Sequence, residues 1–190
     1  MKLVFATHNM HKFEEVQQLM PSHIELLSLH DIGCHEEIPE TANTIEGNAR
    51  QKALFVKNHY NLDCFADDTG LEVDSLNGEP GVYSARYAGD GKNSDENMKK
   101  LLDNLANKTD RSARFKTVIA LVFDGKEQFF AGICKGKITM EPKGSEGFGY
   151  DPIFEPQNSG ITFAQMSQSE KSKFSHRGKA IAQLISYLSQ

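Results

Sequence analysis

Residues 64–73 read CFADDTGLEV. Both ends of the stretch suit a buried strand, yet Asp67 and Asp68 stand side by side inside it. Working outward toward the N-terminus, KLVFA (2–6) reads as a first strand, and a helix is expected from about Met10, with Phe13, Val16, Leu19 and Met20 on one face. IELLSL (24–29) reads as a second strand, and after a polar stretch Ile45, Ala49, Ala53 and Val56 recur at helical spacing. With 64–73 as the third strand, the order is strand, helix, strand, helix, strand, which predicts an α/β sheet.

Toward the C-terminus, GEPGVYSARYAGDGK (78–92) reads as a Gly-rich loop, and Ser94 is expected to cap a helix whose Met98, Leu101, Leu102 and Leu105 face inward. ARFKTVIALVFDGKEQFFAGICKGKIT (113–139) carries Asp124-Gly125 between two β-rich runs, a strong hairpin signal. A last helix is expected after Ser175 as N-cap, burying Ile181, Leu184, Ile185 and Leu188. The expected architecture is α/β: an elongated mixed sheet flanked by helices, in one domain over residues 1–190 or two closely packed lobes.

Composition bounds the function classes. The 21 basic and 26 acidic residues give a net charge of −5, which offers no long-range attraction to nucleic acid or to an anionic membrane. A polyanionic ligand must then meet a local basic cluster. Cys34, Cys64 and Cys134 form no C-x-x-C pair and follow no secretory leader, so a reducing cytoplasm is expected. The longest apolar run, Val118 to Phe123, is far below the length of about 20 residues needed to cross a bilayer.

Several polar groups fit this scaffold badly. ATHNMHK (6–12) lies where the first strand gives way to the first helix, so Thr7, Asn9 and the free N–H groups of the first turn favour an anion, with Lys12 adding a full charge. The plain alternative is an ordinary N-cap beside a surface lysine. The stretch is no P-loop, since G-x-x-x-x-G-K-[ST] is absent. His8 and His11 have no convincing third ligand nearby, which makes zinc a poor fit.

Asp67 and Asp68 cost free energy unless they are hydrogen-bonded, paired or bound to a cation. Oxygen-only ligands favour magnesium, which takes one or two carboxylates, waters and phosphate oxygens. A cap on the Thr69-Gly70 turn would account for only one of the two. EGFGYDP (146–152) is a Gly-punctuated turn with Phe148, Tyr150 and Asp151, able to present an aromatic face and backbone donors to a planar ring. SEKSKFSHRGKA (169–180) gathers Lys171, Lys173, His176, Arg177 and Lys179 beside a helix start, either as a solvated face or as a receptor for an anion.

These blocks together resemble the Ham1/inosine triphosphatase family, pyrophosphatases of non-standard purine nucleoside triphosphates that include the bacterial XTP/dITP diphosphatases. THNMHK is similar to that family's T-x-N-x-x-K, PETANTIEGNARQKA to its P-E-T and N-A-x-x-K-A segment, and ADDTGLEV to its A-D-D-[ST]-G-L core. PGVYSARYAG, GFGYDPIF and EKSKFSHRGKA match as well, and the six blocks run in family order from residue 3 to residue 182. His8 stands where many members carry glycine.

The resemblance implies a role for each matching residue. Thr7, His8, Asn9, Met10, His11 and Lys12 would contact the triphosphate, with Lys52 completing the phosphate clamp. Glu40 and Asp68 would bind Mg2+, and Asp68 would accept the proton of the attacking water. Thr69, Phe148, Gly149, Tyr150, Asp151, Lys171, His176 and Arg177 would contact the nucleotide, Phe148 to Asp151 together with His176 and Arg177 at the base. The implied protein is a cytoplasmic homodimer of two-lobed ITPase-like subunits with a central nucleotide-binding cleft. The implied reaction is magnesium-dependent hydrolysis of ITP, dITP or XTP to the monophosphate and pyrophosphate, which clears these nucleotides from the pool.

Two alternatives stand beside it. A Maf-like nucleotide pyrophosphatase is disfavoured by the intact SHR and FGYD stretches, and a nucleotide sensor without turnover by the presence of Asp68 and Glu40.

Overall fold

The computed structural model describes residues 1–189. The described residues form seven strands and five α-helices, and strand and helix alternate through the first half in the expected order. Strand β1 (Lys2–Phe5) leads to helix α1 (Met10–Leu19), β2 (Glu25–Leu27), α2 (Ile45–Tyr60) and β3 (Cys64–Val73). There follow β4 (Pro80–Gly81), α3 (Ser94–Asn104), β5 (Ser112–Phe123), β6 (Lys126–Ile138), β7 (Phe154–Pro156), α4 (Gln168–Phe174) and α5 (His176–Leu188). The sheet is mixed, in the order β2-β1-β3-β5-β6-β7, with β4 paired to β3. β1 runs parallel to both β2 and β3, whereas β3 with β4 and β6 with β7 are antiparallel.

The chain divides into two compact units. Unit 1 comprises Met1–Asp68, Thr117–Gly132 and Arg177–Gln190; unit 2 comprises Thr69–Lys116 and Ile133–His176. In unit 1 the strands are covered on both faces, and strand alternation sorts their side chains into two cores. Leu3, Phe5, Phe65, Ile119 and Leu121 pack with Phe13 and Val16 of α1 and with Ala180, Ile181 and Leu184 of α5. Val4, Ala6, Cys64, Ala66, Ala120 and Val122 pack with Ala49, Ala53 and Val56 of α2. Unit 2 has one core, in which Leu71, Val73, Phe115, Ile138 and Phe154 meet Met98, Leu101 and Leu105.

The hairpin falls at Asp124-Gly125, both at positive φ (48° and 72°), the geometry that a two-residue turn of this type demands. Several boundaries differ from expectation: β1 ends one residue early, β2 starts one residue late, and the loop 78–92 holds the short strand β4. The cap of α3 is Asn93, whose side chain accepts hydrogen bonds from the Asp95 and Glu96 amides, and Ser94 is the first helical residue. The second strand stops at Leu27 because Ser28 turns away to Asp31, its amide and hydroxyl both donating to that carboxylate at 2.8 and 2.7 Å. Helix α4 was hidden within the basic run 169–180. Its capping box, Ser167 with Glu170, satisfies the amides of those two residues at the start of so short a helix. Among the described residues no helix is long and apolar enough to cross a membrane. All three cysteines are buried thiols.

Candidate active site

Asp67 and Asp68 lie in mid-strand, not at its end, and β1 stops level with Phe65. Both carboxylates therefore stand just past the carboxyl end of β1, the edge at which α1 begins. Successive residues of a strand project to opposite faces, so the two aspartates enter different layers of unit 1.

Asp67 shares the face of Phe65, under α1 and α5. Its Oδ1 is 3.0 Å from Lys12 Nζ of α1, and its Oδ2 accepts from Arg177 Nε of α5 at 3.0 Å. Arg177 also donates through Nη1 to Glu15, one turn beyond Lys12 on α1. The side chains of Asp67 and Arg177 are 1% and 2% exposed, whereas that of Lys12 keeps 15%. Burial works against the Asp67 charge, but Lys12 and Arg177 outweigh it and hold the carboxyl well below its ordinary range. Burial also pulls the Lys12 ammonium below its usual value, with Asp67 opposing.

Asp68 shares the face of Cys64 and Ala66, under α2. Asn48 Nδ2 donates to Asp68 Oδ2 at 3.2 Å, and one helical turn on, Lys52 Nζ lies 3.9 Å from Asp68 Oδ1. Lys52 also contacts Glu40. Glu40 is set by its loop, which is stapled to α2: the Ala42 amide donates to Asn48 Oδ1 and the Thr41 amide to Gln51 Oε1, both at 2.9 Å. Burial raises Asp68 above the usual carboxylate range, Lys52 and Lys12 countering only in part and Glu40 adding to the rise. Lys52, though buried, is raised by the surrounding carboxylates.

The α1 end carries the remaining phosphate candidates. Asn9 caps the helix, its Oδ1 accepting from the Lys12 amide at 3.2 Å, and Thr7 Oγ accepts from the Asn9 amide at 3.1 Å. His8, Met10 and His11 are exposed, and His8 Nε2 lies 2.9 Å from the Glu36 carbonyl oxygen. Among the described residues no group of three or more His, Cys, Asp or Glu stands together as a metal-binding cluster. Glu40 and Asp68 form a two-carboxylate, oxygen-only pair with a lysine ammonium against both. That donor set suits magnesium, which fills its other positions with water and phosphate oxygens.

In unit 2 a second group forms around Asp151. Its Oδ2 accepts from the Phe148 amide at 2.9 Å and lies 2.7 Å from Lys171 Nζ. The side chains of Lys171 and Asp151 are 4% and 5% exposed. Lys171 Nζ also sits 4.9 Å from the Phe148 ring centre and 5.5 Å from that of Phe163. The turn is tight: Gly147 and Gly149 have φ of +76° and +62°, and a Cβ on Gly147 would stand 2.1 Å from Asp151 Oδ2. Tyr150 is buried with its hydroxyl donating to the Ser84 carbonyl at 2.8 Å, so of the two turn aromatics only half-buried Phe148 keeps an accessible face. His176 is buried and stacks on Phe115, ring centres 4.6 Å apart, and Thr69 is half-buried on β3.

Sequence reasoning left Asn48, Glu15, Gly147 and Phe115 without a role. Asn48 and Lys52 are four apart on one helix, and Lys12 and Glu15 three apart, so helical spacing pointed to both partners. Phe115 announces itself only through its contact with His176, distant in sequence, whereas Gly147 lies four residues before Asp151 in the same turn.

The model of the Ham1 family matches residues 3–187. A protein of Christiangramia forsetii named dITP/XTP pyrophosphatase is 60% identical over 190 residues, covering 100% of both chains. One of the same name from Flavobacterium johnsoniae is 59% identical, over 99% of this chain and 98% of its own. Among solved structures, the Ham1 protein of Staphylococcus aureus superposes with a TM-score of 0.90 at 38% identity, covering 100% of this chain and 98% of that one.

Proposed function

Because this chain belongs to the Ham1 family, we propose that it hydrolyses non-standard purine nucleoside triphosphates, dITP, XTP and ITP, to the monophosphate and pyrophosphate. Water adds to the α-phosphorus, the bond from that phosphorus to the β-bridging oxygen breaks, and pyrophosphate leaves. Chemistry of this kind depends on positioning and on neutralising charge.

The observation that carries the reading is the split of Asp67 and Asp68. One is locked as a carboxylate between two cations; the other, with its raised pKa, sits in a more open group with Asn48, Lys52 and Glu40. Asp68 takes the proton of the attacking water, a role that favours a carboxyl poised above its ordinary value. Lys12, Lys52 and the free amides at the start of α1, with Thr7, His8, Asn9, Met10 and His11 around them, receive the triphosphate. Glu40 and Asp68 would hold a magnesium ion, which when bound would neutralise negative charge at the site.

The Asp151 group serves the nucleoside. Phe148 offers its ring to the base, Gly149, Tyr150 and Asp151 their backbone, and Thr69 and Lys171 polar contacts to the nucleotide. His176 is the side chain proposed to read the 6-oxo edge; Arg177, expected beside it from the sequence, is instead buried and committed to Asp67 and Glu15. Rejection of ATP then follows from leaving a buried donor or acceptor unmet, which discriminates far more strongly than shape. The enzyme is proposed to act in the cytoplasm as a homodimer.

The test is pyrophosphate release from dITP, XTP, ITP, ATP, GTP and TTP, with magnesium and with the metal chelated. Release from the first three only, lost on chelation, is expected. Equal release from ATP or TTP overturns the specificity, and no release from any nucleotide overturns the enzymatic reading in favour of a sensor.

A further inference from the structure

The four charges Lys12, Asp67, Arg177 and Glu15 form an alternating row within unit 1. Its two middle members are almost wholly buried, and Glu15 is 10% exposed in its side chain; only Lys12, at 15%, is more open. Asp67 is short, sits on a central strand, and spends one oxygen on Arg177 and the other on Lys12. Glu15 holds the far side of the guanidinium and belongs to the same helix as Lys12.

A lysine is a poor anion receptor when its four-bond stem is free, because ordering it costs rotamer entropy. A fixed carboxylate removes most of that cost before the substrate arrives. Charge balance alone would have been met by any acidic group near Lys12. What the row adds is a fixed direction: strand, guanidinium and helix together leave the ammonium little room to move.

On the reading given above, we propose that Asp67 is a positioning residue for the hydrolysis: anchored by Arg177 and Glu15, it holds the Lys12 ammonium in register with the first turn of α1, so that lysine and helix amides meet the triphosphate as one rigid receptor. Asp67 does not touch the reacting atoms, and its effect passes through Lys12. A purely structural role would instead lower stability and activity regardless of what stands at position 12.

The test uses the full chain and a double-mutant cycle. Asp67→Glu keeps the charge and displaces it by one methylene; it is made in the natural background and in Lys12→Met, with kcat and KM for dITP and urea midpoints measured for all four proteins. In the natural background kcat/KM should fall about a hundredfold, the scale of a 1 Å misplacement, with kcat contributing to the loss. With Lys12→Met the same change should cost less than about threefold. Equal losses in both backgrounds, or no loss in either, overturn the proposal. Should Asp67→Glu not fold, Glu15→Gln, which loosens Asp67 through Arg177, is put through the same cycle with the same criteria. If the natural protein releases no pyrophosphate from dITP, it is the hydrolase reading that has failed; calorimetric titration of the same proteins with inorganic tripolyphosphate then reads the positioning directly, and additive losses of affinity overturn it.

Discussion

Replacing Asp67 by asparagine should cost much stability and replacing Asp68 by asparagine none, although the residues are identical and adjacent. Asp67 has a depressed pKa in the fold, so its charge is favoured there. Removing that charge leaves Lys12 and Arg177 facing a neutral amide, and breaking a buried pair in this way costs about 3–5 kcal/mol. Its contribution is fully present above the unfolded carboxyl pKa of about 3.9 and is lost as pH falls through the lower folded value. Asp68 has a raised pKa, so the fold disfavours its charge. Above its folded pKa the ionised group detracts from stability, and that penalty disappears as pH falls toward the unfolded value. Asparagine keeps the shape and can still accept from Asn48, so Asp68→Asn should leave stability unchanged or raised by up to about 1 kcal/mol. Its turnover should nevertheless fall by about a hundred- to ten-thousandfold with loss of the proton acceptor. Urea unfolding at pH 7 and pH 4 without magnesium, paired with pyrophosphate release from dITP, measures both. An Asp68→Asn protein that loses several kcal/mol or turns over within tenfold of the natural enzyme, or an Asp67→Asn protein as stable as its parent, would overturn these assignments.

Three further outcomes are expected. Lys52→Met takes away the cation that restrains Asp68, so the acid limb of kcat/KM against pH should move to higher pH; a limb that stays put argues against Asp68 as the titrating base. Gly147→Ala drives a methyl into the Asp151 carboxylate and imposes a left-handed φ on alanine, so KM for dITP should rise at least about tenfold, while competitive inhibition by pyrophosphate is unchanged. Burial pushes the Cys64 thiol up to about 12, and all three cysteines are buried, so a disulfide reagent at pH 8 should label the folded protein far more slowly than the urea-unfolded chain; rapid labelling of the folded protein would contradict the packing.

The α/β order was legible because the strands and helices of the first half bear undiluted periodicity: Ile45, Ala49, Ala53 and Val56 are all buried on α2, and residues 64–73 form one strand throughout. The ends of elements were less so. Asn93 and Ser94 are both good caps, and sequence offers little to choose between adjacent candidates. Glu40 and Lys52 were named from motif resemblance, and their contact needed the Thr41 and Ala42 amides to be stapled to α2. The acidic pair illustrates the limit well. Alternation along a strand already says that two consecutive side chains face apart, but that Lys12 and Arg177 wait on one side and Asn48 and Lys52 on the other depends on helices packed from residues as far as 110 positions away.

The alternation that separates the two aspartates also makes this strand intolerant of changes in length. Losing or gaining a single residue between Cys64 and Asp67 would rotate every later side chain by half a turn, sending the locked carboxylate toward α2 and the reactive one toward α1. Apolar neighbours such as Phe65 can be exchanged for others of like volume at modest cost. Relatives of this chain should thus vary in the identity of the residues leading to the acidic pair far more readily than in their number, and differences in length should collect in the loops.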